Sequence, residues 1–399
     1  MKSDLTAADT IRHPVRGPQA SGIMRAALSN TTPKPQVALV PTAMVYCEGN
    51  FSEIDGKTAN GLVRHSQAYR ILSVIDSHHS GKDSGWVLDA AVNHIPVFEN
   101  LDAAVADQAV IPDTLIYGMA PSTGCLSLAD RSVVLDAIAL GMNIVSGLHE
   151  YLSDDPEISQ AASMRGVRIR DIRKPKPSKD MRLFDGSVAS VSALRIAILG
   201  TDCAIGKRTT ATVLARALNT EGIKTVLVGT GQTGLMQGAK YGVAMDAVPP
   251  QFCCGELEGA IVAADRGEHP DVILIEGQGA LSHPAFCTSA FILRGSQPDA
   301  VILQHAPKRA HRCDFPHMSM PAAASEIALI EAFADTKVIG VTLNHEGMSD
   351  AEVSDTIATQ SSELGLPVTD ALSRPEAHLL AVVFAAYPSL QQGPPVAAI

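Results

Sequence analysis

Apolar runs alternate with amphipathic segments along the first half of the chain. The runs rich in strand-forming residues lie at Gln36–Pro41, Arg70–Asp76, Ile95–Phe98, Thr114–Tyr117, Asn143–Ser146 and Val167–Asp171. Between several of them lie segments with apolar residues at helical spacing, such as Leu128–Leu140. Strands that alternate with helices predict a parallel sheet that is covered on both faces.

A second series of apolar runs fills the other half of the chain, at Arg195–Leu199, Thr225–Val228, Val272–Ile275, Ala300–Leu303, Val338–Leu343 and Pro367–Thr369. The stretch Arg173–Asp180 between the two series is basic, proline-broken and aperiodic, which is typical of a linker. The pattern predicts the α/β class with two doubly wound parallel-sheet domains. We assign residues 1–35 to an N-terminal extension, 36–172 to the first domain, 173–191 to a linker and 192–399 to the second domain.

Composition agrees with this picture and excludes some partners. The chain has 399 residues, 46% hydrophobic and only 4% aromatic, which is enough for two aliphatic cores. A net charge of −11 argues against a nucleic-acid surface. No apolar run has the length of a membrane span, and residues 1–35 lack the apolar core of a signal peptide. We therefore expect a cytoplasmic protein with no membrane partner, whose seven scattered cysteines are reduced.

The most informative motif is a phosphate-binding loop between a strand and a helix. Its residues are Gly200, Thr201, Asp202, Cys203, Ala204, Ile205, Gly206, Lys207, Arg208, Thr209 and Thr210. Glycines allow several backbone N–H groups to point inward, the helix N-terminus adds partial positive charge, and Lys207 supplies an ammonium group. The sequence therefore predicts a phosphate site here.

This loop departs from the common P-loop form in two ways. Five residues separate Gly200 from Gly206, and Arg208 stands where Ser or Thr normally holds magnesium. Thr209 comes one position late for that role. A loop with a Lys–Arg pair and no magnesium hydroxyl suits a diphosphate that is held and not cleaved, such as that of coenzyme A.

Further candidate residues follow the strands of the second domain. The strand ending at Glu276 delivers an acid beside the phosphate loop, and Gln278 lies in the glycine-rich continuation. The segment Gly229–Gly234 formally matches the dinucleotide fingerprint, but no acid follows at the distance an NAD site requires. We interpret it as a ligand-facing loop that presents Gln232. Asp246 is either a ligand for a substrate amine or a turn residue.

Cations concentrate in the loop after the strand that ends at Leu303. Lys308, Arg309 and Arg312 are candidates for substrate carboxylates, and His311 for proton transfer near neutral pH. The spacing of His311, Cys313 and His317 invites a zinc interpretation, but a short loop without a second ligand cluster does not favour it, and we predict no metal.

Three segments of the first half also lie at strand ends or at a helix start, where doubly wound sheets bind ligands. They are Lys57–Arg64, Asp76–His79 and Ser146–Glu150. Each alone is explained by capping or packing. Together they predict that the first domain contributes one wall of a cleft.

Several motifs together resemble one known family. They are Gly-Thr-Asp-Cys-Ala-Ile-Gly-Lys-Arg-Thr-Thr, Gly-Thr-Gly-Gln-Thr-Gly, Ile-Glu-Gly-Gln-Gly-Ala-Leu-Ser-His-Pro and Ser-Gly-Leu-His-Glu. The phosphate loop and the Glu276–Gly277 segment also resemble those of dethiobiotin synthetases. The family is a two-domain P-loop family long catalogued as a domain of unknown function, some of whose members are labelled NAD-dependent epimerase/dehydratase. Others are D-glutamate N-acetyltransferases that use acetyl-CoA. The resemblance covers about residues 36–390.

The resemblance implies a Rossmann-like N-terminal domain and a P-loop NTPase-like C-terminal domain. It also implies acetyl transfer from acetyl-CoA to the α-amine of an amino acid, with D-glutamate expected, in D-amino-acid catabolism. The amine must lose a proton before it attacks, and Asp246, Glu276, His283 and His311 are the candidate bases. The partners expected are a small amino-acid substrate and further copies of the chain in a homo-oligomer.

Two alternatives stay open at this point. One is an ATP-dependent ligase of dethiobiotin-synthetase type, in which Thr209 and Glu276 hold magnesium with ATP. The other is a non-enzymatic protein that senses a nucleotide or coenzyme A.

Overall fold

The computed structural model describes residues 40–121 and 123–392. A first sheet contains β1 (Thr42–Tyr46), β2 (Arg70–Ile75), β3 (Val97–Phe98), β4 (Thr114–Tyr117), β5 (Asn143–Ser146) and β6 (Ile169–Asp171). All of its pairs are parallel, in the order β3-β2-β1-β4-β5-β6. This is the strand order of a Rossmann fold, whose ligands bind at the carboxyl ends of the strands.

The helices of this part are α1 (Lys57–His65), α2 (Ser84–Asp89), α3 (Leu101–Ala106), α4 (Leu128–Ala139) and α5 (Pro156–Arg165). Helix α4 begins where its sequence predicts, because Ser127 and Asp130 form a capping box. Asp155 caps α5, and Pro156 occupies its first turn. Met44, Leu62 and Ile116 are fully buried between sheet and helices.

A second parallel sheet has the order β15-β14-β11-β7-β10-β8-β9. Its strands are β7 (Leu194–Gly200), β8 (Thr225–Gly229), β9 (Tyr241–Gly242), β10 (Val272–Glu276), β11 (Ala300–His305), β14 (Lys337–Leu343) and β15 (Val368–Asp370). Its helices are α6 (Lys207–Thr220), α7 (Gln232–Gln237), α8 (Pro250–Glu268), α9 (Thr288–Ser296), α10 (Ala323–Phe333), α11 (Asp350–Leu364) and α12 (Glu376–Ala386).

Both faces of the second sheet are buried. On β7, Ala197 and Leu199 belong to one hydrophobic core, whereas Ile196 and Ile198 belong to the other. Alternating side chains thus face opposite layers of helices, and this is why the strands appear in the sequence as continuous apolar runs.

Three features differ from the predicted strands, one of them the two-residue edge strand β9, which was not predicted. The first strand lies at Thr42–Tyr46 and not within Gln36–Pro41, of which residues 36–39 lie outside the described part. Pro41 lacks an N–H for the ladder, and the Thr42 amide donates to the Asp113 carboxylate (2.7 Å), which fixes the start of the strand. An antiparallel hairpin of β12 (His311–Arg312) and β13 (Phe315–Ser319) was not predicted.

The segment between the two sheets packs along α8 in a fixed path. Glu258, which is fully buried, accepts hydrogen bonds from the amides of Asp185 (3.0 Å) and Val188 (3.1 Å). Glu256 accepts one from the Arg182 amide (2.7 Å). Two acids on one helix therefore satisfy the backbone of a segment that has no strand of its own. The predicted linker limits of 173 and 191 stay a prediction.

The longest described helix is α8, with 19 residues, and it carries acidic side chains along its length. Within residues 40–121 and 123–392, no helix combines the length and apolar character that crossing a bilayer requires.

All seven cysteines are free thiols.

We expect Glu258→Ala to lower the free energy of unfolding by about 3 kcal/mol, because two buried amides lose a charged acceptor. Glu363→Ala, at an exposed position of α11, is the matched control and should change the free energy by less than about 0.5 kcal/mol. Urea unfolding of both variants measures the difference. Equal effects would show that Glu258 does not hold the segment.

Candidate functional site

The predicted phosphate loop connects β7 to α6. Gly206, at φ 104°, takes a left-handed conformation immediately before Lys207, the first residue of the helix. Lys207 is buried, its Nζ donates to the Asp202 carbonyl oxygen, and burial lowers the pKa of its ammonium group. The loop thus leads directly into a helix N-terminus with a buried lysine, and phosphate binding there stays a prediction.

The hydroxyl groups after Lys207 are arranged differently from a magnesium-binding P-loop. Thr210 is buried and its Oγ1 donates to Gln304 Oε1 (2.6 Å), and the same oxygen also accepts from Thr342 Oγ1 (2.5 Å). Thr209 is only partly buried. Gln304 at the end of β11 thus anchors the first turn of α6.

Arg208 does not lie where a phosphate ligand was expected. Its guanidinium group packs against α1 of the first domain, so close that a Cβ on Gly61 would lie 2.6 Å from Arg208 Nη2. Its Nε is buried without a hydrogen-bond partner among the described residues. Burial lowers its pKa, and the charge of Glu276 opposes that shift. Only glycine at position 61 allows this approach, so Arg208 connects the phosphate loop to the first domain.

Glu276 ends β10, which pairs with β7, the strand that leads into the phosphate loop. Its Oε2 accepts hydrogen bonds from the amides of Thr230 (3.0 Å) and Gly231 (3.3 Å). Thr230 Oγ1 donates to the Glu276 carbonyl oxygen (2.7 Å). Burial raises the pKa of this carboxyl group, and the charge of Arg208 is the strongest opposing influence. Glu276 therefore fixes the glycine-rich loop that the sequence assigned to the ligand.

The two predicted glutamine ligands lie on either side of Gly231. Gln278 is half-buried, and a Cβ on Gly231 would lie 2.4 Å from its Nε2. Gln232 is buried at the start of α7, where its side chain packs against Gly147 of the first domain. The structure thus brings both glutamines to the loop that Glu276 holds.

The three predicted carboxylate-binding cations have other partners in this structure. Arg312 is buried and donates to the Thr201 carbonyl oxygen (3.3 Å) and to Ser282 Oγ (2.8 Å). Arg309 donates to the carbonyl oxygens of Cys203 (3.2 Å) and Ala204 (2.9 Å) and pairs with Glu346 (2.8 Å).

Lys308 is exposed and pairs with Glu352 (2.6 Å). The two arginines therefore hold the backbone of the phosphate loop. Substrate binding by these three cations stays a prediction.

Asp202 of the phosphate loop and His283 form a buried pair. His283 Nε2 lies 3.7 Å from Asp202 Oδ1, and neither side chain is exposed. The Ala285 amide donates to His283 Nδ1 (3.2 Å), which places the ring proton on Nε2, facing the carboxylate. Burial lowers the pKa of this histidine.

Cys203 Sγ lies within 4.8 Å of these two donor atoms. A protonated Nε2 has no lone pair to offer a metal, and Arg312 Nη1 stands 4.0 Å from Asp202 Oδ1. This chemistry fits a neutral histidine beside a carboxylate, and not a cation site. His283 has no exposed surface from which to reach a substrate.

The carboxyl end of the first sheet meets the second sheet through α1 and α7. Thr58 Oγ1 and Thr233 Oγ1 share a buried hydrogen bond of 2.9 Å. Gln237 Nε2 donates to the Gly61 carbonyl oxygen (2.6 Å), and the Gln237 carbonyl oxygen accepts from the Gln67 amide (2.7 Å). The predicted wall from the first half is therefore built around Lys57–His65.

Asp246 forms an ion pair with Arg173, and Arg173 also contacts the first domain. Arg173 binds it with Nε (3.0 Å) and Nη2 (2.8 Å) and also donates to the Gly147 carbonyl oxygen. His149 Nε2 lies 3.9 Å from Asp246 Oδ2. By contrast, His311 is exposed on the β12–β13 hairpin, and none of the described contacts joins it to this group.

Sequence reasoning did not assign roles to Arg173 and His149. His149 lies in the Ser-Gly-Leu-His-Glu segment at the end of β5, so its position at a strand end was the available signal. Its neighbour Asp246 is almost a hundred residues away in the chain, and no local pattern predicts that contact.

Comparison with known proteins gives the family. A profile described as "Domain of unknown function (DUF1611_N) Rossmann-like domain" matches residues 77–175. One described as "Domain of unknown function (DUF1611_C) P-loop domain" matches residues 182–380.

Two similar proteins are named D-glutamate N-acetyltransferase. The one from Pseudoalteromonas sp is 34% identical over 265 residues, which cover 65% of this chain and 77% of the relative. The one from Tritonibacter scottomollicae is 32% identical over 263 residues, which cover 64% and 77%.

The crystal structure of a DUF1611 family protein from Anabaena variabilis superposes with a TM-score of 0.80 at 30% identity. The alignment covers 86% of this chain and 99% of that one. Sequence profiles, relatives and fold agree, and the chain belongs to the DUF1611 family, with a Rossmann-like N-terminal domain and a P-loop C-terminal domain.

Proposed function

We propose that this protein is an N-acetyltransferase that transfers the acetyl group of acetyl-CoA to the α-amine of D-glutamate. The observation that carries the proposal is a phosphate loop with a buried lysine, at the junction of two sheets, in a chain similar to two D-glutamate N-acetyltransferases. The diphosphate of coenzyme A would bind the loop amides and Lys207.

The acetyl group then meets the amine in the cleft between the two sheets. A neutral amine attacks the thioester carbonyl, and the developing oxyanion needs N–H donors. The amides of Thr230 and Gly231 already bind Glu276, so the glycine-rich segment 277–279 is the expected source. Burial raises the pKa of the Cys203 thiol, which favours direct transfer over an acetyl-cysteine intermediate.

A dicarboxylic substrate requires cations that are not already paired. Arg64 binds Asp89 (2.6 Å), and the arginines after β11 bind the phosphate loop. Lys57 is exposed at the first turn of α1, and its charge acts on the Cys203 thiol. Lys57 is therefore the cation of the first domain that we assign to a substrate carboxylate.

The ligase alternative has less support from the site. Glu276 binds two amides, and Arg208 occupies the position of the magnesium hydroxyl, which leaves Thr209 one position late. The sensor alternative requires that the protein bind a nucleotide or coenzyme A without catalysing a reaction.

The direct test incubates the protein with acetyl-CoA and D-glutamate, and separately with L-glutamate, and follows N-acetylglutamate by mass spectrometry. Formation of the D product supports the proposal. Binding of acetyl-CoA without any product would favour a sensor.

Lys207→Ala should weaken acetyl-CoA binding by about 1.5–3 kcal/mol, on the order of 10- to 150-fold in Kd, because a charge-assisted hydrogen bond is lost. Lys179→Ala, at an exposed position of the segment that connects β6 to β7, is the matched control and should leave the affinity unchanged. Isothermal titration with acetyl-CoA measures both. Unchanged affinity in Lys207→Ala would place the phosphates elsewhere.

Acetyl transfer should continue at its full rate in EDTA, since Arg208 stands where Ser or Thr would hold magnesium and the Glu276 carboxylate already accepts from two amides. Steady-state assays with and without the chelator check this. Loss of turnover that magnesium restores, together with ADP formation from ATP, would instead support the ligase alternative.

Arg309→Ala should raise the KM for acetyl-CoA more than the KM for glutamate, because Arg309 supports the carbonyl groups of Cys203 and Ala204 in the phosphate loop. Lys337→Ala removes an exposed cation whose partner is Glu331 and serves as the control. Kinetics with each substrate varied in turn give the answer. A selective rise in the KM for glutamate would return Arg309 to the carboxylate role expected from the sequence.

A further inference from the structure

We propose that His149 is the general base of the reaction, and that Asp246 is the residue that positions it. This inference rests on the proposed acetyl transfer. It starts from a group of side chains at the carboxyl end of β5, where the first sheet contacts α7 of the second domain.

The backbone around His149 is held firmly. The amides of His149 and Glu150 both donate to the Gly124 carbonyl oxygen (3.0 Å each). Gly124 has φ 68°, and a Cβ there would lie 3.0 Å from the His149 Cβ. Glycine is therefore required under the imidazole, for both its conformation and its size. The Glu150 carboxylate accepts from the Leu126 amide (2.8 Å).

On its other side the ring lies near the ion pair of Arg173 and Asp246. Asp246 Oδ2 lies 3.9 Å from His149 Nε2 and 2.8 Å from Arg173 Nη2. Arg173 is itself buried and also binds the Gly147 carbonyl oxygen, two residues before the histidine. Gly147 in turn packs against Gln232, next to the loop that Glu276 holds. His149 is thus joined to the phosphate-loop side of the cleft by a continuous series of contacts.

Access distinguishes His149 from three of the four bases predicted from the sequence, and the fourth, His311, is exposed but none of the described contacts joins it to this group. Its side chain is 52% exposed, whereas that of His283 is 0% exposed. Glu276 is buried with two amide donors, and Asp246 is paired with Arg173. His149 therefore combines a half-exposed ring with a fixed backbone at the junction of the two sheets.

The charge state of His149 also suits a base. Burial of part of the ring and the charge of Arg173 lower its pKa, and the charge of Asp246 opposes them. The charged groups that face the ring are Arg173 and Asp246. The imidazole is therefore neutral at pH 7 and has a lone pair with which to take a proton.

The proton balance of the step is complete. The substrate ammonium gives one proton to His149, and the neutral nitrogen forms a bond to the acetyl carbon. The carbon–sulfur bond then breaks. The second proton that leaves the nitrogen goes to the coenzyme A thiolate, and His149 releases its own proton to solvent.

The experiment compares the wild-type protein with His149→Gln, using acetyl-CoA and D-glutamate between pH 5 and 9. We expect kcat/KM to fall by about 10²- to 10⁴-fold in the variant, the usual contribution of a general base. In the wild-type protein kcat/KM should fall as the imidazole protonates, at a pH lower than the ordinary histidine pKa of about 6.5 because the pKa of His149 is lowered, and this acid limb should disappear in His149→Gln. Imidazole in the buffer should restore part of the activity of His149→Ala. His378→Gln, at an exposed position of α12, is the control and should behave like the wild type.

Two further variants test the positioning. Asp246→Asn removes the charge that raises the histidine pKa, whereas Arg173 remains, so the acid limb should move to lower pH. Gly124→Ala should lower kcat because it crowds the ring. Gly141→Ala, which also has a positive φ (89°) but no neighbour within 4 Å, should not. Thermal unfolding of each variant separates these effects from loss of fold.

The outcomes separate the two proposals. A wild-type protein that forms no N-acetylglutamate contradicts the proposed function itself. An active wild-type protein whose His149→Gln variant keeps its activity within about threefold and retains the acid limb contradicts the role of His149 alone. If His149→Gln does not fold, an unshifted acid limb in Asp246→Asn overturns the proposal.

Discussion

The contact between α1 and α7 is the constraint on which the composite site depends. It is made mainly of polar groups: the buried pair of Thr58 and Thr233, and Gln237 on the Gly61 carbonyl oxygen. Arg208 brings a buried charge to the same surface. Buried polar groups stabilise an interface only when they are satisfied, as the threonine pair and the Gln237 amide are, so these two contacts allow little sliding of one sheet against the other. The carboxyl ends of the two sheets consequently meet in one place.

The phosphate loop is organised by side chains from outside it. Arg309 and Arg312 bind three of its carbonyl oxygens, and the Cys313 amide donates to Asp202 Oδ2 (2.6 Å). Thr201 Oγ1 shares a hydrogen bond with His305 Nδ1 (3.0 Å), and burial lowers the pKa of that histidine to about 4. The side chains that hold the loop from outside are therefore either cationic, as the two arginines are, or neutral, as His305 is. Such preorganisation supports the proposal that the loop holds a diphosphate in place.

The fold could be predicted from the sequence almost strand by strand. The run at Thr114–Tyr117 agrees residue for residue, and β10 extends its predicted run by one residue, to Glu276. A strand that is buried on both faces is apolar throughout and ends at polar or glycine residues, so its limits are visible locally. The strand predicted at Gln36–Pro41 was wrong for its described end, because Pro41 and the Asp113 contact start the strand one residue later. The hairpin at β12 and β13 has too short a pattern to be seen.

By itself, the sequence determined the two-sheet α/β architecture, the phosphate loop and the place of Glu276 beside it, since each depends on residues that are neighbours in the chain. The tertiary structure decided what the charged side chains contact. It turned Arg208 towards Gly61, joined Arg312 to Thr201, buried His283 against Asp202 and brought Asp246 beside His149. A long side chain selects its partner from whatever the packed sheets bring within a few ångströms, and that choice depends on contacts between distant parts of the chain.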